Sequence, residues 1–329
     1  MKKVLVPFWL PDHIKERYKG KIDIISHPDP MGVYSEKEIL ERVADVHGLV
    51  GKANKTIIAA GKNLEGICSF GSGYDAIDIE YAGIKGIKVS NAPDGTTAVT
   101  AELTITLLLT LTRRIKNQSL LITKNRRCKS GGGYFALSFD DAMPAASVYG
   151  KQLGIIGFGK IGKAVAKRAL GMDMKIKYFD IYRASPEVEN QYQAGYMDFD
   201  ELLATSDYIT LNCLYSAENH HLMNDETLAK MKPGAFLINA ARGPLVDEQA
   251  LVRALKQKHL AGAALDVFEN EPEIFDELID MDEVLLTPHI GTQTYDARCE
   301  MATDVLDNLV SILNGEDIPT IVNREYLTK

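Results

Sequence analysis

The chain of 329 residues has one tryptophan and only four cysteines, Cys68, Cys128, Cys213 and Cys299. The cysteines lie far apart, with no C-x-x-C pair and no metal-ligand spacing, which argues against a disulfide framework and against a cysteine-built metal centre. Cys68 and Cys213 sit in apolar, strand-like stretches and read as reduced packing residues, as in a cytoplasmic protein. Long apolar runs are missing too: none approaches the roughly 18 residues of a membrane span. The start, Met1-Lys2-Lys3-Val4-Leu5-Val6, has the outline of a signal peptide but breaks at Pro7 and soon meets Asp12 and His13, so it reads as a strand. An excess of positive charge is absent. The net charge of −8 argues against a nucleic-acid partner, and the basic cluster Arg126-Arg127-Cys128-Lys129 reads as a solvated helix end. No internal repeat is visible.

What is present is an alternation of short apolar runs and amphipathic stretches, the pattern of a parallel α/β sheet. Over residues 1–95 the expected strands are Val4–Phe8, Ile22–Ile25, Gly48–Val50, Ile67–Phe70 and Ile87–Ser90, with helices over Glu36–Val43 and Ile77–Ile84. From Thr97 to Ile115 the pattern predicts one long helix, apolar nearly all round and therefore buried on several sides. Ser130 to Ala146 reads as a loop. A second βα series has expected strands at Leu153–Ile156, Ile176–Phe179, Tyr208–Leu211, Ala235–Ile238, Ala263–Val267 and Val284–Leu286. Its helices are expected over Ile161–Leu170, Glu201–Thr205, Glu226–Met231 and Glu248–Lys258, with Asp198 and Glu201 spaced as a capping box. A last helix, Tyr295–Leu313, stops at Asn314-Gly315.

Gly157-Phe158-Gly159-Lys160-Ile161-Gly162 is a G-x-G-x-x-G that follows a strand and opens a helix, with Asp180 ending the next strand. Gly157 permits the tight turn, Gly159 admits a pyrophosphate to the backbone, and Gly162 allows helix–strand packing. The helix N-terminus offers unpaired N–H groups to phosphate. Asp180 can accept from a ribose 2′-hydroxyl and repels a 2′-phosphate, which favours NAD over NADP, although Arg183 stands near enough to reach a phosphate.

Three polar segments follow apolar strands in the last third: Asn239-Ala240-Ala241-Arg242-Gly243, Glu269-Asn270-Glu271-Pro272 and Thr287-Pro288-His289-Ile290-Gly291. Each emerges at a strand's C-terminal end, the ligand-binding edge of an open parallel sheet. Singly, an arginine after a strand is commonly a surface ion-pair partner, a glutamate before proline a turn carboxylate, and a histidine a backbone cap. Together, behind a dinucleotide fingerprint, they suit acid–base chemistry on an anionic substrate.

In this order, with Gly71-Ser72-Gly73-Tyr74-Asp75 and Leu265-Asp266-Val267-Phe268, these signatures cover nearly the whole chain and resemble the D-isomer-specific 2-hydroxyacid dehydrogenases. Asn91-Ala92-Pro93-Asp94 followed by Ala101-Glu102-Leu103 leans toward the glyoxylate/hydroxypyruvate reductase branch. The resemblance implies an α/β protein of two domains, a Rossmann-type coenzyme domain inserted into a smaller flavodoxin-like substrate domain. Residues 1–100 would open the substrate domain, 101–290 would bind NAD, and 291–329 would return to the substrate domain, with substrate in the cleft. It implies NADH-dependent reduction of a small 2-keto acid to the D-hydroxy acid. Arg242 would hold the carboxylate with its planar fork, helped by the backbone N–H groups of Ser72 and Gly73. His289 would give a proton to the carbonyl oxygen, and Glu271 would orient its imidazole and favour the charged form. Around the cofactor it implies Thr100, Gly157, Gly159, Lys160, Ile161, Gly162, Asp180, Cys213, Leu214, Ala240, Asp266 and Gly291. A homodimer built on the helix from Ala101 to Ile115 and the loop after it is also implied.

Some positions leave the family pattern. Leu214 stands where a proline is common, Asn219 where a threonine is frequent, and Ser72 where an aliphatic residue is usual. The tryptophan usual before the Gly-rich strand is missing, and the loop carries Tyr134 and Phe135. Lys52, after an expected strand, is a candidate to read a second polar or anionic group on the substrate. His220-His221 falls in an expected surface loop, and no His/Asp/Glu cluster points to a metal. Two rivals share the fold: a formate dehydrogenase, against which Glu271 argues, and an NADH-responsive corepressor that binds peptides.

Overall fold

The computed structural model describes residues 1–93, 95–125 and 145–327; the expected loop from Ser130, the basic cluster at Arg126 and Asp94 fall outside them in whole or part. The chain divides into two compact units, Met1–Thr96 with Thr292–Lys329, and Thr97–Gly291 inserted between these segments.

The first unit holds a five-stranded sheet of β1 (Lys3–Val6), β2 (Asp23–Ser26), β3 (Gly48–Val50), β4 (Gly66–Cys68) and β5 (Lys88–Ser90). The order is β2-β1-β3-β4-β5, all parallel; this is the flavodoxin-like order. The central strands β3 and β4 are buried at every residue, because crossover helices cover both faces of a parallel sheet. One cover is the helix Tyr295–Leu313, started by Thr294 accepting from the Ala297 N–H and burying Met301, Val305, Leu309 and Ile312 on one stripe. The helix Glu36–Val43 opens with a reciprocal capping box between Ser35 and Glu38.

The second unit holds β6 (Gln152–Ile156), β7 (Lys175–Phe179), β8 (Ala194–Tyr196), β9 (Tyr208–Leu211), β10 (Phe236–Asn239), β11 (Gly262–Leu265) and β12 (Val284–Leu286). Their order is β12-β11-β10-β9-β6-β7-β8, again all parallel. Strand order reverses beside β6, the switch point where a doubly wound sheet takes its ligand. This is the Rossmann arrangement, so both expected sheets are found.

The helix Thr97–Thr112 packs on the helix Lys160–Leu170 and on β10 and β11. Ala101, Leu107 and Leu108 join Val165, Ala166 and Ala169 in one core, each leucine worth about 1.5–3 kcal/mol of burial. Glu102 and Thr106 are exposed, so one stripe of this helix remains outside the unit's core. The helix expected from Thr97 to Ile115 ends at Thr112; Arg114 takes φ 54°, and a further helix that was not expected, Ile115–Asn125, follows. The expected capping box at Asp198 is also absent, because Asp198 precedes the helix Phe199–Thr205 without a side-chain bond to it. Among the described residues no helix is long and apolar enough to cross a membrane.

Candidate active site

β6 runs straight into the Gly-rich turn. Gly157 has φ 93° and donates its N–H to Phe179 O at 2.9 Å. A Cβ there would lie 2.4 Å from Cys213 N, and one at Gly162 would lie 2.1 Å from Gly157 O. These two glycines are therefore required by the protein's own packing. Gly159 is different: nothing lies within 4 Å of its Cβ position, although it caps the helix Lys160–Leu170 with no side-chain bond. An open backbone at a helix N-terminus, led by Lys160 and Ile161, fits a pyrophosphate. Asp180, after β7, accepts from Phe158 N–H at 2.6 Å through Oδ2 and from Tyr182 N–H at 3.1 Å through Oδ1. The carboxylate is thereby fixed beside the turn. Arg183 is held by Glu189, with Nε 2.9 Å from Oε1 and Nη2 3.2 Å from Oε2, and lies over the Tyr196 ring. Cys213 follows β9, where burial pushes its thiol up to about 11, while the neighbouring Leu214 is exposed.

β10, β11 and β12 are adjacent, with Asn239 opposite Leu265 and Leu265 opposite Leu286. Parallel pairing thus brings the three polar segments to one sheet edge. Asn239, fully buried, accepts from Ala241 N–H at 3.0 Å and donates Nδ2 to Arg242 O at 2.8 Å, bracing the turn that carries Arg242. Ala240 is buried beside it. The Arg242 guanidinium donates Nη1 to Ala241 O at 2.7 Å.

Asp266 is the hub between β11 and β12. Its Oδ1 accepts from Thr287 Oγ1 at 2.6 Å and Ile290 N–H at 2.8 Å, and Oδ2 accepts from Gly291 N–H at 2.9 Å. Burial raises its carboxyl above the ordinary 3.8, against these hydrogen bonds and the charge of His289, which pull it down. A Cβ on Gly291 would meet Asp266 Oδ2 at 3.3 Å and Thr100 Oγ1 at 3.7 Å, so Thr100 joins this corner. The His289 N–H donates to Asp266 O at 2.8 Å, with φ 53° at His289. Its Nδ1 lies 2.9 Å from Glu271 Oε2, while Glu271 Oε1 accepts from Phe268 N–H at 3.1 Å. The imidazole is thus held through Nδ1, with half of its side chain exposed.

Lys52, Ser72 and Gly73 belong to the first unit. Lys52 is exposed and follows Gly51, which has φ 100°. In the loop after β4, Asn91 Nδ2 donates to Ser72 O at 2.8 Å, and Ser69 Oγ donates to Gly73 O. The carbonyls are thereby held by the scaffold, and the Ser72 and Gly73 N–H groups have no hydrogen-bond partner among the described residues.

Several bracing residues had no signal as single letters, Asn239 and Thr287 among them, though both lie inside the quoted motifs. The expectation of no His/Asp/Glu cluster needs correcting. His220, His221 and Glu269 come together, because parallel strand order closes a gap of 48 residues between His221 and Glu269.

The switch-point turn, the open Gly159 and the fixed Asp180 mark a dinucleotide-binding protein of the doubly wound class. The profile of the D-isomer specific 2-hydroxyacid dehydrogenase NAD binding domain matches residues 105–291. A glyoxylate reductase of Thermococcus onnurineus (strain NA1) is 40% identical, covering 99% of this chain and 97% of that protein. The crystal structure of a glyoxylate reductase from Paecilomyes thermophila superposes with a TM-score of 0.84 at 32% identity, over 98% of this chain and 99% of that one. The holo form of Rhodotorula graminis D-mandelate dehydrogenase does so with a TM-score of 0.84 at 26% identity, over 98% of each chain. The chain belongs to the D-isomer specific 2-hydroxyacid dehydrogenase family. It is an NAD-dependent enzyme acting on a small hydroxy- or keto-acid.

Proposed function

We propose that the enzyme reduces glyoxylate, hydroxypyruvate or a similarly small 2-keto acid to the D-2-hydroxy acid, with Arg242, Glu271 and His289 as its catalytic residues. The reading rests on one observation above others, the 2.9 Å separation of His289 Nδ1 and Glu271 Oε2, at the edge where Arg242 also emerges. With Nδ1 engaged by the carboxylate, Nε2 is the atom that gives the proton to the carbonyl oxygen in reduction and takes it back in oxidation. Glu271 positions the ring through Nδ1. Arg242 binds the substrate carboxylate with two parallel N–H donors and polarises the keto oxygen. Ser72 and Gly73 add backbone N–H donors to the carboxylate, and Lys52 reads a further polar group. The first unit is assigned to substrate and the second to coenzyme.

Gly157, Gly159, Lys160, Ile161, Gly162, Asp180, Cys213, Leu214 and Ala240 would hold the coenzyme, with Thr100, Asp266 and Gly291 at its nicotinamide end, and when bound it would supply or take the hydride. Asp180 and the engaged Arg183 favour NAD over NADP. A homodimer is proposed through the helix Thr97–Thr112 and the segment after it, where Ile115 is 53% and Leu120 46% exposed.

The test is a keto-acid panel with NADH and NADPH, followed by loss of reduced-coenzyme absorbance. Turnover of glyoxylate or hydroxypyruvate with NADH, abolished in Arg242→Ala, is the expected result. Coenzyme binding without turnover of any acid would favour a binding protein of the same fold.

A further inference from the structure

We propose that His220, His221 and Glu269 form a binding site for one divalent transition-metal ion of the zinc class. One ligand atom from each residue lies within 4.8 Å of the other two. The two imidazoles are neighbours in sequence, and such side chains ordinarily diverge. Here His221 takes φ 52°, and the rings stack with centroids 3.9 Å apart and planes 22° from parallel. Glu269 arrives from the segment after β11, with Oε1 2.7 Å from His221 Nε2.

The His220 ring is engaged through its second nitrogen, as a metal ligand needs, and His221 and Glu269 are braced through their backbones. The Tyr215 hydroxyl lies 3.3 Å from His220 Nδ1, which leaves Nε2 of that ring for an ion. The His221 N–H donates to Pro244 O at 2.8 Å, and His221 O accepts from Asn224 Nδ2 at 3.0 Å. The Glu269 N–H donates to Glu248 Oε1 at 2.9 Å. His220 is exposed while His221 and Glu269 are half-buried, so an ion has an entry path and keeps an outer position for water.

A His221–Glu269 hydrogen bond and the Tyr215 hydroxyl on His220 Nδ1 leave His220 Nε2 without a hydrogen-bond partner among the described residues. Two imidazoles and one carboxylate suit zinc, cobalt, nickel or copper and disfavour magnesium and calcium, which take all-oxygen shells. The cluster lies outside the residues assigned to acid–base chemistry, so the site stands or falls independently of the substrate. Glu269 is nevertheless two residues before Glu271, so a bound ion would tether the turn that carries that carboxylate.

The experiment uses the full chain stripped with a chelator. Zn2+ is titrated by calorimetry and Co2+ by visible absorption, with the melting temperature followed alongside. One saturable site is expected, with a rise in melting temperature. His220→Ala and Glu269→Gln should each weaken binding about tenfold or more, while His220→Ala keeps the metal-free turnover. The proposal fails if the parent shows no saturable binding up to about 1 mM metal. It fails equally if His220→Ala binds as tightly as the parent, which would place the ion on other residues such as the cysteines.

Discussion

His289 Nδ1 and Glu271 Oε2 meet at 2.9 Å, although one residue follows β12 and the other follows β11. The carboxylate is itself anchored, since its second oxygen accepts the Phe268 N–H. A carboxylate fixed on Nδ1 keeps an N–H there and leaves Nε2 as the nitrogen that can gain or lose a proton. Glu271→Gln retains the shape and loses the charge. It should lower kcat for keto-acid reduction by about 10- to 100-fold with little change in KM, measured by steady-state kinetics. A change confined to KM would assign Glu271 to substrate binding.

Arg242→Lys keeps the positive charge and loses the planar fork. The expected fall in kcat/KM is on the order of 100-fold or more, and Arg242→Ala should fall further. Equal activity of the lysine variant would mean that a point charge suffices.

Glycine substitutions in the turn should separate folding from coenzyme binding. Gly162→Ala drives a Cβ to 2.1 Å from Gly157 O and should destabilise the enzyme by about 1–3 kcal/mol or more. Gly159→Ala meets nothing within 4 Å, so its melting temperature should stay near that of the parent while the NADH dissociation constant rises. Calorimetry and NADH fluorescence titration read the two effects. Unchanged NADH affinity in Gly159→Ala would remove that glycine from the phosphate site.

Asp180→Ser should lose NADH preference, changing the NADH/NADPH ratio of kcat/KM by about tenfold, which corresponds to about 1.4 kcal/mol. Adding Glu189→Gln frees the Arg183 guanidinium from its partner and should move the ratio further toward NADPH.

Asp266 gives a pH signature. Burial holds its folded carboxyl above the ordinary 3.8, so the folded state binds the proton more tightly than the unfolded chain. Its contribution to stability is full below 3.8 and is lost as pH rises through the folded value. Asp266→Asn sets an amide N–H against Gly291 N–H and should cost about 1–3 kcal/mol. That deficit should narrow between acidic and neutral pH, followed by denaturant melts of both proteins. A deficit that widens instead would contradict the raised carboxyl.

The strands bearing the site were legible because buried parallel strands leave short apolar runs, each closed by a polar group that changes the pattern abruptly. Gly48–Val50, Tyr208–Leu211 and Val284–Leu286 begin and end where their residues say they should. β8 was not legible: Ala194-Gly195-Tyr196 is three residues with a glycine in the middle, and only its pairing with β7 makes it a strand. The helix Ile115–Asn125 was not legible either, since the apolar pattern that marks Thr97–Thr112 stops at Arg113-Arg114 and the next residues, Ile115-Lys116-Asn117-Gln118, are mixed in character. At the candidate site the charged residues stood out from chemistry and resemblance. Their supports were not, because the buried Asn239 and the Asp266 hub act through backbone groups that a sequence does not display. The His220–His221–Glu269 group is an extreme of the same kind, since its members meet only once the sheet is assembled.

The left-handed backbone at His289 has a consequence for any attempt to improve this enzyme. A non-glycine residue in that region carries a conformational cost of about 1–2 kcal/mol, offset here by the two hydrogen bonds its N–H makes to Asp266 O and Thr287 O. Selection for heat resistance alone would therefore favour glycine or asparagine at this position, and each such gain would remove the proposed proton donor. Thermal screening and catalytic screening should pull residue 289 in opposite directions, and a library sorted only for robustness would return well-folded, inert proteins.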